Sequence, residues 1–363
     1  MPAARCGPRS TGRSVAVVLS LALAWLALGG QRKKNEEPKT QVLPLPPELP
    51  MALMADTETL DFHISPLLRT GGLAVQIRQS LNDLIRDTHG ETIIKLRAFV
   101  AGAGDARRVQ AEVTQIFTER KLPLPVLSIL QVGALGDQAA QVVIEAVVST
   151  HRTVNPKGLA FLAGQMGPSL DKALQQLKTS AAAARVDAQR VLTCTCFTSR
   201  IEDGEATRAM LQTSFPKSEI NVMEALRDPA NDASTCEAVG QLTESPSAGR
   251  IVWLKNSRTT LVTSHRLIFT GLQLTFGAYL DDAHEAFARL QRAASALQPV
   301  EVPVEVNAFS LDPYSGSALR KSTSVPGSVF TVQTIEGLPS IAASAGIEAV
   351  MAPDVSSPVT LPD

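Results

Sequence analysis

Val143-Ile144-Glu145-Ala146-Val147, Thr235-Cys236-Glu237-Ala238-Val239 and Gly346-Ile347-Glu348-Ala349-Val350 share a Glu-Ala-Val tail within one chain of 363 residues. A three-residue match is weak alone, but the surroundings repeat with it. Upstream of each tail lies a β-rich run closing on Phe: Ile93 to Phe99, Val191 to Phe197 and Val302 to Phe309. The spacing from Phe to Glu varies only by what a loop can absorb. Further upstream an apolar strand runs into Ser65-Pro66, Ala163-Gly164 or Thr270-Gly271, a small residue followed by one that turns the chain.

An amphipathic helix is predicted between that turn and the Phe in each copy. Ile77, Leu81, Leu84 and Ile85 mark it in the first, and Leu170, Leu174, Leu177 and Ala181 in the second. Leu280, Ala283, Phe287, Leu290, Ala294 and Leu297 mark it in the third. Steps of three and four residues place each set on one helix face. After each Phe an Asp stands where a second helix should begin: Asp105, Asp203 and Asp312, the last followed by Pro313 in the first-turn position that tolerates a missing amide hydrogen.

The predicted order is strand, helix, strand, helix, strand, strand, three times over, giving an α+β chain with modules at 55–150, 156–242 and 250–353 and a short tail at 354–363. Residues 250–264, with Ile251-Val252-Trp253-Leu254, are either an extra strand of the third module or part of the connection.

Residues 1–30 read as an export leader: a basic stretch ending at Arg13, an apolar run from Val15 to Leu28, then Gly29-Gly30. The run is short against the roughly 20 residues a helical span requires. The alternative is an uncleaved anchor, in which case the membrane is met only through residues 14–30. Residues 31–54 are charged and then Pro-rich, as in Pro44-Leu45-Pro46-Pro47, and suit an extended tether. The expected location is therefore outside the cytoplasm, periplasmic or extracellular.

Composition narrows the function. With 44% hydrophobic and 19% charged residues and four Cys, the chain is neither disordered nor a dense disulfide scaffold. A net charge of −1 and 4% aromatic residues offer no basic groove or stacking platform for nucleic acid. No phosphate-cradling Gly loop, nucleophile elbow or dinucleotide fingerprint is present, so no cofactor is expected. The five His residues lack metal-ligand spacing, and no metal site is expected. Cys194 and Cys196 share one strand face. With Cys236 they read as buried small hydrophobes, or as a disulfide between Cys236 and one of the pair.

A module of this order, with its early small-residue turn and a closing strand in Glu-Ala, resembles the RidA/YjgF family, most clearly over Pro125 to Leu135 with Val143-Ile144-Glu145-Ala146. The resemblance implies chorismate-mutase-like subunits, here fused into an intrachain pseudo-trimer with inner strands, outer helices and ligand clefts between modules, the chain itself a monomer. It also implies an Arg that clamps a substrate carboxylate, yet that place is Leu127 here, with Lys217 or Ser218 and Phe330 near it in the other copies. The family's other acidic position is Val143, Thr235 or Gly346. What remains is one carboxylate per copy, Glu145, Glu237 and Glu348, as catalytic candidates, with Lys95, Arg97, Lys217 and Arg320 as candidate ligand-binding cations. The plain alternative makes the three Glu residues structural. The implied function is an altered relative that binds a small metabolite or a partner in its clefts, so whether it is an enzyme stays open. A working enamine or imine deaminase is the alternative, and ribonuclease activity ranks last.

Overall fold

The computed structural model describes residues 47–363 apart from 103, 278, 299–301, 324, 327–328, 354 and 356. The leader and most of the tether lie outside the described residues. Within them no helix is long and apolar enough to cross a membrane.

The chain opens with β1 (Ala52–Asp56), a single 3-10 turn and β2 (Leu60–Ile64). Then follow α1 (Leu73–Asp87), β3 (Thr92–Ala101), α2 (Arg107–Glu119), β4 (Val126–Val132) and β5 (Val142–Ser149). Helix α1 buries Ile77, Leu81 and Leu84, the stripe its spacing predicts. Strands β2 to β5 form a four-stranded sheet ordered β2-β5-β3-β4, in which only β3 and β4 run parallel.

The next stretch runs β6 (Leu159–Gly167), α3 (Leu170–Ala183), β7 (Val191–Thr198), α4 (Gly204–Ser214), β8 (Glu219–Glu224) and β9 (Ser234–Gln241). Asp203 caps α4, accepting from the amides of Glu205 and Ala206. A hairpin follows, β10 (Ile251–Leu254) and β11 (Thr259–Val262). The last stretch holds β12 (Arg266–Thr270), β13 (Gln273–Thr275), α5 (Leu280–Ser295), β14 (Val302–Ser310), α6 (Pro313–Ser322), β15 (Phe330–Thr334), β16 (Ala345–Ala352) and β17 (Val359–Leu361). Asp312 caps α6 through the amides of Tyr314 and Ser315, with Pro313 in the first turn. Leu280 and Leu297, read as part of the α5 stripe, are exposed instead, while Ala283, Ala286, Leu290 and Ala294 face inward.

The second sheet is ordered β17-β10-β11-β6-β9-β7-β8, and the third β1-β12-β16-β14-β15 with β13 also on β16. Strands β9 and β16 are buried along nearly their whole length, as expected of strands covered on both faces. Cys196 of β7 lies opposite Cys236 of β9, and the two form a disulfide. Cys194 remains a buried free thiol, and burial pushes its titration well up.

The expectation of RidA/YjgF-type, chorismate-mutase-like modules closed as an intrachain pseudo-trimer is corrected by this arrangement. The described residues form three mixed sheets containing 17 strands, with six α-helices. Strands outside the repeated pattern lace the sheets to remote parts of the chain. β1 begins ahead of the first module yet pairs with β12 of the third sheet, Leu53 opposite Phe269. The β10–β11 hairpin extends the second sheet by pairing with β6, Thr260 opposite Phe161, and β17 adds to its edge. An open edge strand is a row of unpaired amides and carbonyls, and these additions cover it. Residues 250–264 thus belong to the second sheet, neither an extra strand of the third nor a bare connection.

Two apolar clusters draw residues from all three sheets. One gathers Phe62, Phe161 and Phe269 with their neighbours. The other holds Phe99, Phe197 and Phe309, with ring centroids 5.8 Å and 6.2 Å apart along the series. Loops seal the latter end: Gln131 and Gly337 exchange backbone hydrogen bonds, and Gly133 donates to the Glu224 carbonyl.

Candidate functional site

Pairing register explains what lies between the two Phe clusters. On β3, β7 and β14 the Phe residues are 99, 197 and 309, and strand alternation turns every second residue toward the same face. Counting back two positions gives Arg97, Thr195 and Asn307. Counting back four gives Lys95, Thr193 and Glu305. The closing strands set Glu145 opposite Arg97, Glu237 opposite Thr195 and Glu348 opposite Asn307. All nine of these side chains line one interior cavity of about 80 Å³. His63 also lines it and keeps a quarter of its side chain exposed.

Arg97 is the hub. Its Nη2 lies 2.7 Å from Glu145 Oε2 and 2.6 Å from Glu237 Oε1, and its Nη1 lies 3.4 Å from Glu348 Oε1. Its Cζ also sits 5.4 Å from the centre of the Phe99 ring. Lys95 Nζ donates to Glu348 Oε2 at 2.8 Å and to the Thr270 carbonyl at 3.1 Å. The remaining oxygen of Glu145 accepts from Thr195 Oγ1 at 2.6 Å and Asn221 Nδ2 at 2.7 Å. Three carboxylates from three sheets are thereby bound to one guanidinium, a geometry that planar, multiply donating Arg supports and Lys does not.

Two groups stand outside that network. The partly exposed Glu305 carboxyl lies outside the Arg97 and Lys95 ion pairs, and Asn307, 5% exposed, has an unpartnered Oδ1. Burial, reinforced by the Glu237 carboxylate, pushes the Glu305 carboxyl up to about 8 against the pull of Arg97 and Lys95. Burial also raises Glu237, with Arg97 restraining it. For Glu348 burial pushes upward too, but Lys95 and Arg97 outweigh it and hold the group below its ordinary range. A hydrogen bond donated to the Asp61 carboxylate raises His63.

Of the residues singled out from sequence, Lys95, Arg97, Glu145, Glu237 and Glu348 meet in this cavity. Lys217 and Arg320 do not. Lys217 is exposed in a separate groove shared with Arg208 and Pro66, and Arg320 is exposed near the end of α6. Sequence reading missed Glu305, Asn307, Thr195 and His63. The first three could have been found by counting back from the aligned Phe residues, whereas His63 had no marker. Among the described residues no cluster of three His, Cys, Asp or Glu side chains is arranged to hold a metal ion.

The fold and site define an α+β chain whose three mixed sheets enclose an ion-lined cavity. No protein-family model matches it, nor does any curated protein. Among solved structures, a cyanuric acid hydrolase from A. caulinodans aligns over 84% of this chain and 100% of its own, at 11% identity and a TM-score of 0.22. T. maritima PurL complexed with AMPPCP aligns over 82% of this chain and 74% of its own, at 10% identity and 0.28. Phosphoribosylformylglycinamidine synthase II from Thermotoga maritima aligns over 82% and 73%, at 9% identity and 0.25. Similarity this low carries no argument about fold or chemistry. None of the three is a RidA/YjgF protein, and with no family model behind it that resemblance is set aside. The implied binding clefts between modules, the deaminase activity and the ribonuclease alternative go with it.

The displaced carboxyls set the pH response of stability. Glu305 titrates near 8 in the folded chain and near 4.5 when unfolded, so its stabilising contribution is full below about 4.5 and is lost as pH rises through 8. Glu237 is raised and acts in the same sense, while Glu348 is lowered and loses its contribution as pH falls below its ordinary range. The urea midpoint should therefore decline between pH 5 and pH 9, and Glu305→Gln, which mimics the protonated form, should flatten much of that slope. A midpoint that rises across this window contradicts the assignment.

Proposed function

We propose that the chain is a binding protein whose interior cavity takes up a small nitrogen compound rich in hydrogen-bond donors. The observation that carries this reading is the buried Asn307 Oδ1, which has no partner, with the partly exposed Glu305 carboxyl two residues before it on β14 lining the same cavity, while Glu145, Glu237 and Glu348 are engaged by Arg97 and Lys95. Native structures rarely leave buried acceptors unpaired, because each costs about 1–3 kcal/mol. An ionisable group displaced by burial beside specific charges is likewise a mark of working sites. The engaged carboxylates are poorly placed for acid–base catalysis, since a transferable proton would have to compete with fixed ion pairs, which favours holding a solute over transforming one. The Cys196–Cys236 disulfide supports an oxidising compartment for the working protein.

A cavity of this size is about half the roughly 150 Å³ that accommodates benzene, so the occupant has on the order of four heavy atoms. Guanidinium, methylammonium, urea and formamide are suitable probes. At least one should raise the thermal midpoint in a saturable, concentration-dependent way, and Asn307→Leu should abolish that response. If none of the four shifts the midpoint of the parent protein, the reading is wrong and the cluster is a structural junction.

A further inference from the structure

We propose that the cavity selects a compact nitrogen cation of the amidinium or guanidinium type over its neutral analogues, and that the cation enters in exchange for the Glu305 proton. This rests on the binding role argued above and names the class of occupant and its coupling.

The charge balance of the walls points to a cation. Three carboxylates, Glu145, Glu237 and Glu348, face two fixed cations, Lys95 and Arg97, and Glu305 adds a fourth acidic group. The groups facing Glu305 are Glu237 from β9, Glu348 from β16, and Lys95 and Arg97 from β3. Glu145 on β5 and His63 on β2 complete the titratable lining, while β6, β7 and β12 contribute only Phe161, Thr193, Thr195 and Phe269. With the cavity otherwise surplus in negative charge, Glu305 retains its proton near neutrality. A bound cation removes the reason for retaining it. The O–H bond of Glu305 then breaks, its proton leaves to solvent, and the resulting carboxylate pairs with the ligand.

The kind of cation follows from the donors required. Asn307 offers an unpartnered amide oxygen beside the Glu305 carboxyl, two acceptors that a planar N–H fork can meet together. Phe62, Phe161 and Phe269 also line the cavity, and aromatic faces favour a delocalised, weakly hydrated cation over a compact ammonium. A bare metal ion fits poorly, since no three acidic side chains among the described residues are arranged for coordination.

Calorimetry with guanidinium chloride at pH 7, repeated in buffers of different ionisation enthalpy, reads the proton directly. Guanidinium should bind with release of close to one proton, formamide with none, and guanidinium at least tenfold more tightly than formamide. Glu305→Gln should weaken guanidinium at least tenfold and remove its proton release. Guanidinium binding without proton release, equal binding of potassium, or proton release that survives Glu305→Gln would each overturn the proposal. Binding of urea or formamide without guanidinium would sink this selectivity while leaving the binding role intact, whereas silence from every probe sinks both.

Discussion

Replacing Arg97 with methionine will lower the unfolding free energy by about 3–5 kcal/mol, because removing the shared cation strands three buried carboxylates. Lys95 cannot take over. Its ammonium reaches Glu348 and the Thr270 carbonyl, and no contact joins it to Glu145 or Glu237. Arg97→Lys should recover only part of the loss, since a single ammonium on a shorter stem cannot span carboxylates delivered by three sheets. Adding Glu237→Gln to Arg97→Met should restore stability relative to Arg97→Met alone, by removing one uncompensated charge. Urea unfolding at pH 7 measures all of these. A loss below about 1 kcal/mol for Arg97→Met, or no recovery on adding Glu237→Gln, would show that the ionic hub does not join the sheets energetically.

Truncating Phe197 to alanine should cost a comparable amount, about 3–5 kcal/mol. Its ring is buried and lies between Phe99 and Phe309, so the change opens a void where all three sheets meet and removes two aromatic contacts at once. Phe197→Leu keeps most of the volume and should cost less than about 1.5 kcal/mol. The comparison isolates filling from hydrophobicity. If the alanine variant unfolds at the parent's urea midpoint, the cluster is not a shared core. The two substitutions also test separate layers of the interior, one ionic and one aromatic. Arg97 stacks on Phe99, however, so their effects should add imperfectly when combined.

Local pattern carried a good deal of the architecture. The three Phe-terminated strands, the three Glu-Ala-Val strands and the helices between them stand where periodicity put them, because helix and strand spacing depend on neighbours a few residues away. The capping roles of Asp203 and Asp312 were legible for the same reason. The resemblance to a family of separate subunits did not survive, and the particulars show why. A hairpin of four-residue strands such as β10 and β11 has no local mark saying which sheet it will extend, and β1 pairs across more than half the chain with β12.

The site divides along the same line. Sequence named Lys95, Arg97, Glu145, Glu237 and Glu348 as chemically notable but could find no cation for the carboxylates. Lys95 and Glu348 are 253 residues apart.

What the sequence by itself determined was the direction of each side chain: alternation along a strand decides that Glu305, Asn307 and Phe309 share a face, whatever that face meets. Only the tertiary structure decided that three such faces enclose one cavity, that Arg97 serves carboxylates from all three, and that Cys196 rather than Cys194 lies opposite Cys236. Backbone geometry imposes the first within a few residues, while the second depends on strand pairings and sheet contacts between segments that no local propensity brings together.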